Sequence, residues 1–462
     1  MFIMASILRE YSYHVRNANN KSINHHIKFR EWVIFTKIFT WFKVKLIRSD
    51  KRAWLLKLRY FTVPNWFRKT PVAEVYLALN DPYSFMLIQV LPELEQRFNI
   101  QFKLFLVYES VPGVTIDPKL MRTWAIKDAN FIAEQYQLKK ITQQPTQESL
   151  FTGQQMWQLR PKTLDNAWQL FQQTWLNEFD YYYHASTPVI NYQIKNLMRL
   201  VKQGHYLPSS IFIAGQWFVG IDRLEHLEKR LADFGLAKDD SIAVYQKNKL
   251  VFAERPAKDS AADIADIADI ADRPILEAFI SLRSPYSYIG LLQAEKLSQH
   301  YHIPLKIKPL LPLVMRGLTI TENKQRYAVF DASREAKKLN IPFTGIADPL
   351  GQGIFNAFQI FSYAEQQNKE LAFIKSAFKA IYVDGLNLSH KSVIESLCQQ
   401  HEINYLQALE YNNEHDWQQW SDTNQSTLDG MGLWGAPCFR FQDVICWGQD
   451  RLAQIEQAII VS

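Results

Sequence analysis

The sequence predicts an α/β fold written twice in one chain of 462 residues. Three observations carry that reading. The segment Asn80-Asp81-Pro82-Tyr83-Ser84-Phe85 is echoed by Arg283-Ser284-Pro285-Tyr286-Ser287-Tyr288. Each copy is closed about 140 to 170 residues later by a Gly-x-Asp-Arg-Leu, at Gly220-Ile221-Asp222-Arg223-Leu224 and Gly448-Gln449-Asp450-Arg451-Leu452. Strand and helix signals also recur in the same order between these marks. A period of about 200 residues far exceeds the roughly 20 to 50 of a solenoid unit, so two tandem domains are expected.

In the first copy, Ala73 to Leu79 reads as a buried strand, and a helix is expected from Asp81-Pro82, because Asp caps well and Pro is pre-set for the first helical position. Phe102 to Val107 is a second strand, and residues 118 to 205 carry helical periodicity. Ser209 to Ala214 and Gln216 to Val219 form a hairpin across Gly215, and a last helix runs from about Asp222. The second copy replays this: strand Leu276 to Ser281, helix from Ser284, strand Leu305 to Leu310, a helical stretch over 323 to 428, strands at Cys438 to Phe441 and Val444 to Trp447, and a closing helix. Strand, helix, strand, helical insertion, hairpin, helix is the thioredoxin order with an inserted helical domain.

The expected organisation is a basic arm over 1–70, a domain over 71–235, a linker over 236–274 holding an Ala-Asp-Ile repeat, and a second domain over 275–462. A composition of 47% apolar residues supplies ample core. The net charge of +6 sits in the arm, where fifteen Lys or Arg face three acids, so the remainder carries about −6. The arm interleaves Lys37, Lys43 and Lys45 with Trp32, Phe39 and Trp41. Packing on its own protein is the default reading, contact with an anionic membrane surface is the rival, and nucleic acid is not expected because no recognised module accompanies the charge. No apolar stretch reaches the about 18 to 20 residues that span a bilayer. Three cysteines, Cys398, Cys438 and Cys446, are too few for a disulfide framework, so a cytoplasmic setting is expected. Gly430-x-Gly432-x-x-Gly435 spells a dinucleotide fingerprint but leads into Ala-Pro and a strand, where that motif must open a helix. The histidines at 25, 26, 300 and 302 lack further ligands at metal spacing, and no metal is expected.

Four motifs of the second copy, in order, carry a resemblance: Ser284-Pro285-Tyr286-Ser287-Tyr288, Lys324-x-x-Tyr327-x-x-x-Asp331, Gly432-Leu-Trp-Gly435-Ala436-Pro437, and Trp447-Gly-Gln-Asp450-Arg451-Leu452. These residues resemble the DsbA-like thioredoxin superfamily, and more narrowly its branch of 2-hydroxychromene-2-carboxylate isomerase and kappa-class glutathione transferases. The resemblance implies glutathione as cofactor. It places Ser284 as the catalytic hydroxyl at the sulfur, with Pro285 and Tyr286 beside it. Ala436 and Pro437 pair with the tripeptide backbone on a cis-proline loop, Asp450 and Arg451 hold the γ-glutamyl end, and Lys324 and Asp331 border the cleft.

Physical chemistry fits these roles. A helix N-terminus with an adjacent hydroxyl stabilises a thiolate, although Ser-Pro is also a common helix start. Asp450 with Arg451 suits a group bearing both charges. Lys324, Tyr327, Asp331 and Arg334 share one helix face by their spacing. Asp81 in place of Ser284 would repel a thiolate, so the first copy is expected to be a degenerate partner. The expected activity is a glutathione-dependent isomerase or transferase acting on a small conjugated or aromatic-derived electrophile. Disulfide exchange would need cysteines where Ser284 and Ser287 stand; the alternative is a non-catalytic binding or scaffold protein. An oligomer is compatible with either.

Overall fold

The computed structural model describes residues 70–108, 118–159, 162–182, 188–239, 244–246, 249–253 and 274–462. The basic arm and the Ala-Asp-Ile run therefore lie outside the described residues.

The first half contains β1 (Val72–Leu77), α1 (Pro82–Arg97), β2 (Gln101–Leu106), four helices α2 (Pro118–Tyr136), α3 (Gln147–Leu159), α4 (Leu164–Leu176) and α5 (Pro188–Lys202), then β3 (Ser210–Ile213), β4 (Gln216–Val219) and α6 (Leu224–Asp233). The second half contains β5 (Leu276–Ile280), α7 (Pro285–Tyr301), β6 (Leu305–Pro309), the helices α8 (Glu322–Lys338), α9 (Gln352–Gln366), α10 (Glu370–Lys379), α11 (Lys391–Gln400), α12 (Tyr405–Glu414) and α13 (Trp417–Gly430), then β7 (Cys438–Phe441), β8 (Val444–Trp447) and α14 (Leu452–Val461).

Each half has one four-stranded sheet, of order β2-β1-β3-β4 and β6-β5-β7-β8. In both, the first strand pairs parallel with the second and antiparallel with the third, in register Val72 with Gln101 and Leu276 with Leu305. The parallel step needs a crossover, which α1 and α7 provide. Both helices start as the Pro-containing motifs demand. Asp81 caps α1 by accepting from the amides of Tyr83 and Ser84, and Ser284 caps α7 by accepting from Ser287. Between β3 and β4, Ala214 and Gly215 both take positive φ, the tight turn whose twist matches a hairpin.

Separate cores lie under the two sheets. Val75, Leu87, Leu91, Phe171 and Phe218 are fully buried or nearly so in the first, and Phe358, Phe373, Phe378, Phe439 and Phe441 in the second. The other face of each sheet is covered in part by the opposite half. Tyr327 of α8 packs with Tyr76, Phe105, Tyr206 and Trp217, while Trp124 of α2 packs against Phe279, Leu428 and Cys438.

The segment expected as linker begins by packing on the first half: Leu236 and Tyr245 are buried in that core, and Ala237 bridges to Phe98. By Val251 and Phe252 the backbone donates to Glu456 of α14 instead. No described helix is long and apolar enough to cross a membrane.

Candidate functional site at the seam between the halves

Ser284 stands at the N-terminus of α7 because β5 ends there and Pro285 fixes the first helical residue. Its hydroxyl accepts from the Ser287 amide at 3.2 Å and donates to the Ala436 carbonyl at 3.2 Å. Ser287 is spent structurally, its fully buried hydroxyl accepting from the Ser281 amide at 3.1 Å. Ser84 does the same for Ala78 in the first half.

The Ala436–Pro437 peptide is cis, and Pro437 leads directly into β7. Gly435 is required by close approach: a Cβ there would lie 2.7 Å from Cε2 and 2.8 Å from Nε1 of Trp447. Trp447 in turn meets Trp434 edge-to-face at 5.0 Å. Behind this loop Arg316 donates to the Trp434 carbonyl at 2.6 Å.

A cavity of about 250 Å³ opens at this point. The second half lines it with Tyr286, Ala436, Pro437 and the stretch Trp447 to Asp450, and the first half with Tyr83, Met121, Trp124 and Arg223. It is thus a cleft of the seam.

The two Asp-Arg pairs meet here and exchange partners. Arg223 donates to Asp450 through both terminal nitrogens, at 3.2 and 3.1 Å, and through Nε to Asp331 at 2.7 Å. Arg451 donates to Asp222 twice at 2.8 Å, and to Asp128 at 2.6 and 2.9 Å. The outer carboxylates have matching supports: Tyr83 donates to Asp128 at 2.9 Å and Tyr286 to Asp331 at 2.8 Å. Tyr83 and Tyr286, like Asp128 and Asp331, are 203 positions apart. Each guanidinium therefore presents its fork to carboxylates drawn mainly from the other half, the geometry in which arginine outperforms lysine.

Burial makes these charges interdependent. The side chains of Arg223, Arg451 and Asp331 are 7%, 4% and 1% exposed. Burial alone would raise the Asp331 carboxyl, but Arg223 and Arg334 outweigh it and hold it below the usual carboxylate range. Burial works against the charge on Arg451, and Asp128 and Asp222 more than restore it. Asp450 behaves differently: burial, with Glu335 and Asp222 nearby, lifts it to about 6 against the pull of Arg223.

Of the expected site residues, Ala436, Pro437, Tyr286 and Asp450 line the cleft, while Ser284 is not among its lining residues and is joined to it by the hydrogen bond to the Ala436 carbonyl. Pro285 is buried in the first turn of α7, below Ser284. The described side-chain partners of Arg451 are Asp128, Asp222 and the Asp450 carbonyl, and it is not among the described lining residues. Lys324 is likewise turned to the first half, its ammonium 6.0 Å from the Tyr206 ring centre, and burial pulls its pKa down. Asp331 supports Arg223 from behind. The shared helix face of Lys324, Tyr327, Asp331 and Arg334 exists, but its neighbour is the first half, where Arg334 also donates to the Trp217 carbonyl at 3.1 Å. Arg223, Trp124 and Met121 were missed as site residues, since nothing local to them announces a cleft built by residues some 200 to 300 positions away. The duplicated Asp-Arg was the one available signal.

The first half offers no equivalent hydroxyl. Asp81 holds the Ser84 hydroxyl at 2.6 Å, and burial pushes its carboxyl up to about 6. The three cysteines are buried; burial raises Cys398 to about 12 and takes Cys438 well above its ordinary value. Among the described residues no group of His, Cys, Asp and Glu could hold a metal ion.

Among solved structures, the chain is similar to a 2-hydroxychromene-2-carboxylate isomerase (18% identity over 40% of this chain and 94% of that one, TM-score 0.35). It is also similar to a probable DsbA oxidoreductase from Streptomyces coelicolor (12%, 40% and 88%, TM-score 0.33). A third is the cytosolic disulfide reductase DsbM from Pseudomonas aeruginosa with GSH (13%, 40% and 96%, TM-score 0.29). No curated protein sequence matches the chain significantly. The second half carries a DsbA-like thioredoxin domain: residues 275–460 match the family model of that description.

Proposed function

We propose that this chain is a glutathione-dependent isomerase or transferase for a small conjugated or aromatic-derived electrophile, and that its first half is a duplicated, degenerate copy retained to complete the site. One observation carries the reading: the cleft beside the Ser284–Ala436 hydrogen bond is walled by an anion and a cation, Asp450 and Arg223, bonded to each other across the seam.

The residues present fit the tripeptide. Asp450 suits an ammonium and Arg223 an α-carboxylate, so the γ-glutamyl pair assigned by resemblance to Asp450 and Arg451 becomes Asp450 and Arg223. Ala436 and Tyr286 both line the cleft, Ala436 offering backbone beside the cis-proline. Glutathione held there supplies a thiolate nucleophile. Ser284 would turn its hydroxyl from the Ala436 carbonyl to the sulfur, and the N-terminus of α7 would favour the charge. Trp124, Met121 and Trp447 give the same cleft apolar walls beside these charges.

Disulfide exchange is disfavoured because Ser284 and Ser287 replace a cysteine pair and every cysteine is buried. The test is calorimetric titration of glutathione into the intact chain and its Ser284→Ala and Asp450→Asn variants. Binding with proton release that Ser284→Ala suppresses, and an affinity loss with Asp450→Asn, is expected. No binding at millimolar glutathione would reject the reading and leave a scaffold role.

A further inference from the structure

Helix α5 is turned partly away from its own apolar stripe. Its buried side carries Gln193, Asn196 and Leu200, at spacings of three and four. Asn196 is used, donating to the Leu106 carbonyl at 2.8 Å. Gln193 is 1% exposed, yet neither its amide nitrogen nor its oxygen has a partner among the described residues. The outer side, at the same spacings, carries Ile194, Met198 and Val201, which are 40%, 67% and 38% exposed. A helix serving the first core alone would be rotated to bury the apolar row, since burying an unpartnered amide costs free energy and burying an apolar side chain recovers it. The rotation leaves the outer side as a surface for another partner.

Charge says what that partner is. The helix contains no Asp or Glu. Lys195 and Lys202, both exposed, border the apolar row, and neither has a described ion pair. The basic border continues onto the sheet edge, where Arg199 and Lys103 of β2 stand 5.1 and 5.4 Å from the centre of the Phe105 ring. Glu74 of β1 is held there by Arg199, whose Nε donates to it at 3.2 Å. Only four positions separate Glu74 from residue 70, where the arm with fifteen Lys or Arg against three acids is attached. A second copy of the chain is a poor occupant, because a two-fold contact would set lysines against lysines and bring both arms together.

We propose that the outer side of α5 lies on an anionic phospholipid surface, with Ile194, Met198 and Val201 entering the acyl boundary and Lys195, Lys202 and Lys103 meeting the headgroups. The arm adds charge-driven affinity, and α5 fixes how the folded body sits. The contact is independent of the Ser284 cleft, whose described lining includes no residue of α5.

The three native cysteines are buried, so Met198→Cys gives the intact chain one accessible thiol for an environment-sensitive nitrobenzoxadiazole label. Vesicles of phosphatidylcholine with about 30% phosphatidylserine should shift its emission to the blue, and about 0.5 M salt should reverse the shift. In the unlabelled chain, Met198→Ser combined with Val201→Ser should weaken co-sedimentation with these vesicles by roughly tenfold or more. Lys195→Gln combined with Lys202→Gln should weaken it by roughly five- to twenty-fivefold. Co-sedimentation without a response at position 198, or full affinity in the double serine variant, would leave the arm as the contact and overturn the proposal. An equal response to pure phosphatidylcholine would overturn it too, as would no binding to either vesicle. So would a blue shift that grows with protein concentration in the absence of vesicles, which would make the face an interface between copies.

Discussion

Replacing Arg451 by methionine keeps most of the side chain's bulk and removes four charge-assisted hydrogen bonds, two to Asp128 and two to Asp222. Asp128 is 6% exposed and is left with the Tyr83 hydroxyl in place of a cation. Removing one partner of a buried ion pair costs about 3–5 kcal/mol, chiefly by stranding the other charge. The upper part of that range applies here because one guanidinium serves two carboxylates. The loss belongs to the docking of the halves, since neither core contains these groups, so urea unfolding followed by tryptophan fluorescence should separate into two steps, and the radius of gyration from solution scattering should rise before either half unfolds. Adding Asp128→Asn should recover about 2 kcal/mol or more, because the stranded charge is gone. A loss under about 1 kcal/mol, the size of an exposed pair, or no recovery in the double variant, would refute the argument from burial.

Three further outcomes are expected. Asp450 sits at about 6 in the free protein, and an ammonium beside it would lower that value; binding is then strongest above pH 6 and weakens as pH falls from there, measurable as the pH profile of glutathione affinity, and a profile flat from pH 7 to 5 would remove Asp450 from the site. Asp331 is held below its unfolded value, so it contributes stability present above about pH 4 and lost as pH falls further; acid titration should loosen the seam in that range, and Asp331→Asn should abolish that part of the dependence. Gly345→Ala would set a Cβ 2.7 Å from the Val383 carbonyl oxygen and against the backbone at Gly385, a clash neither neighbour can relieve, and should cost about 1–3 kcal/mol in chemical denaturation while leaving ligand affinity of the folded fraction unchanged.

The elements were legible because their signals are local. Asp81-Pro82 and Ser284-Pro285 mark helix starts through caps that require only neighbouring amides, and the strands Cys438–Phe441 and Val444–Trp447 have the bounds expected from their apolar runs. The destination of each surface was not legible. An Asp-Arg at a helix start reads the same facing water, a ligand or another domain, and its direction is decided by the packing of α2 and α8, which no local pattern encodes. Spacing grouped Lys324 with Asp331 correctly on one face, yet could not say that Tyr206 and Arg223 lie opposite. The start of the expected linker is similar: Leu236 and Tyr245 are apolar anchors separated by polar residues, and only the finished core shows that they pack into it.

The exchange of partners between Arg223 and Arg451 also fixes how the site responds to dilution. Were the two halves separate molecules, the wall formed by Asp450 and Arg223 would vanish as protein concentration fell below their dissociation constant. Covalent joining replaces that concentration with a constant local one, on the order of millimolar for tethered modules. Ligand affinity should then be the same at nanomolar and micromolar protein, and a single copy of the gene product can carry a composite binding surface at any expression level.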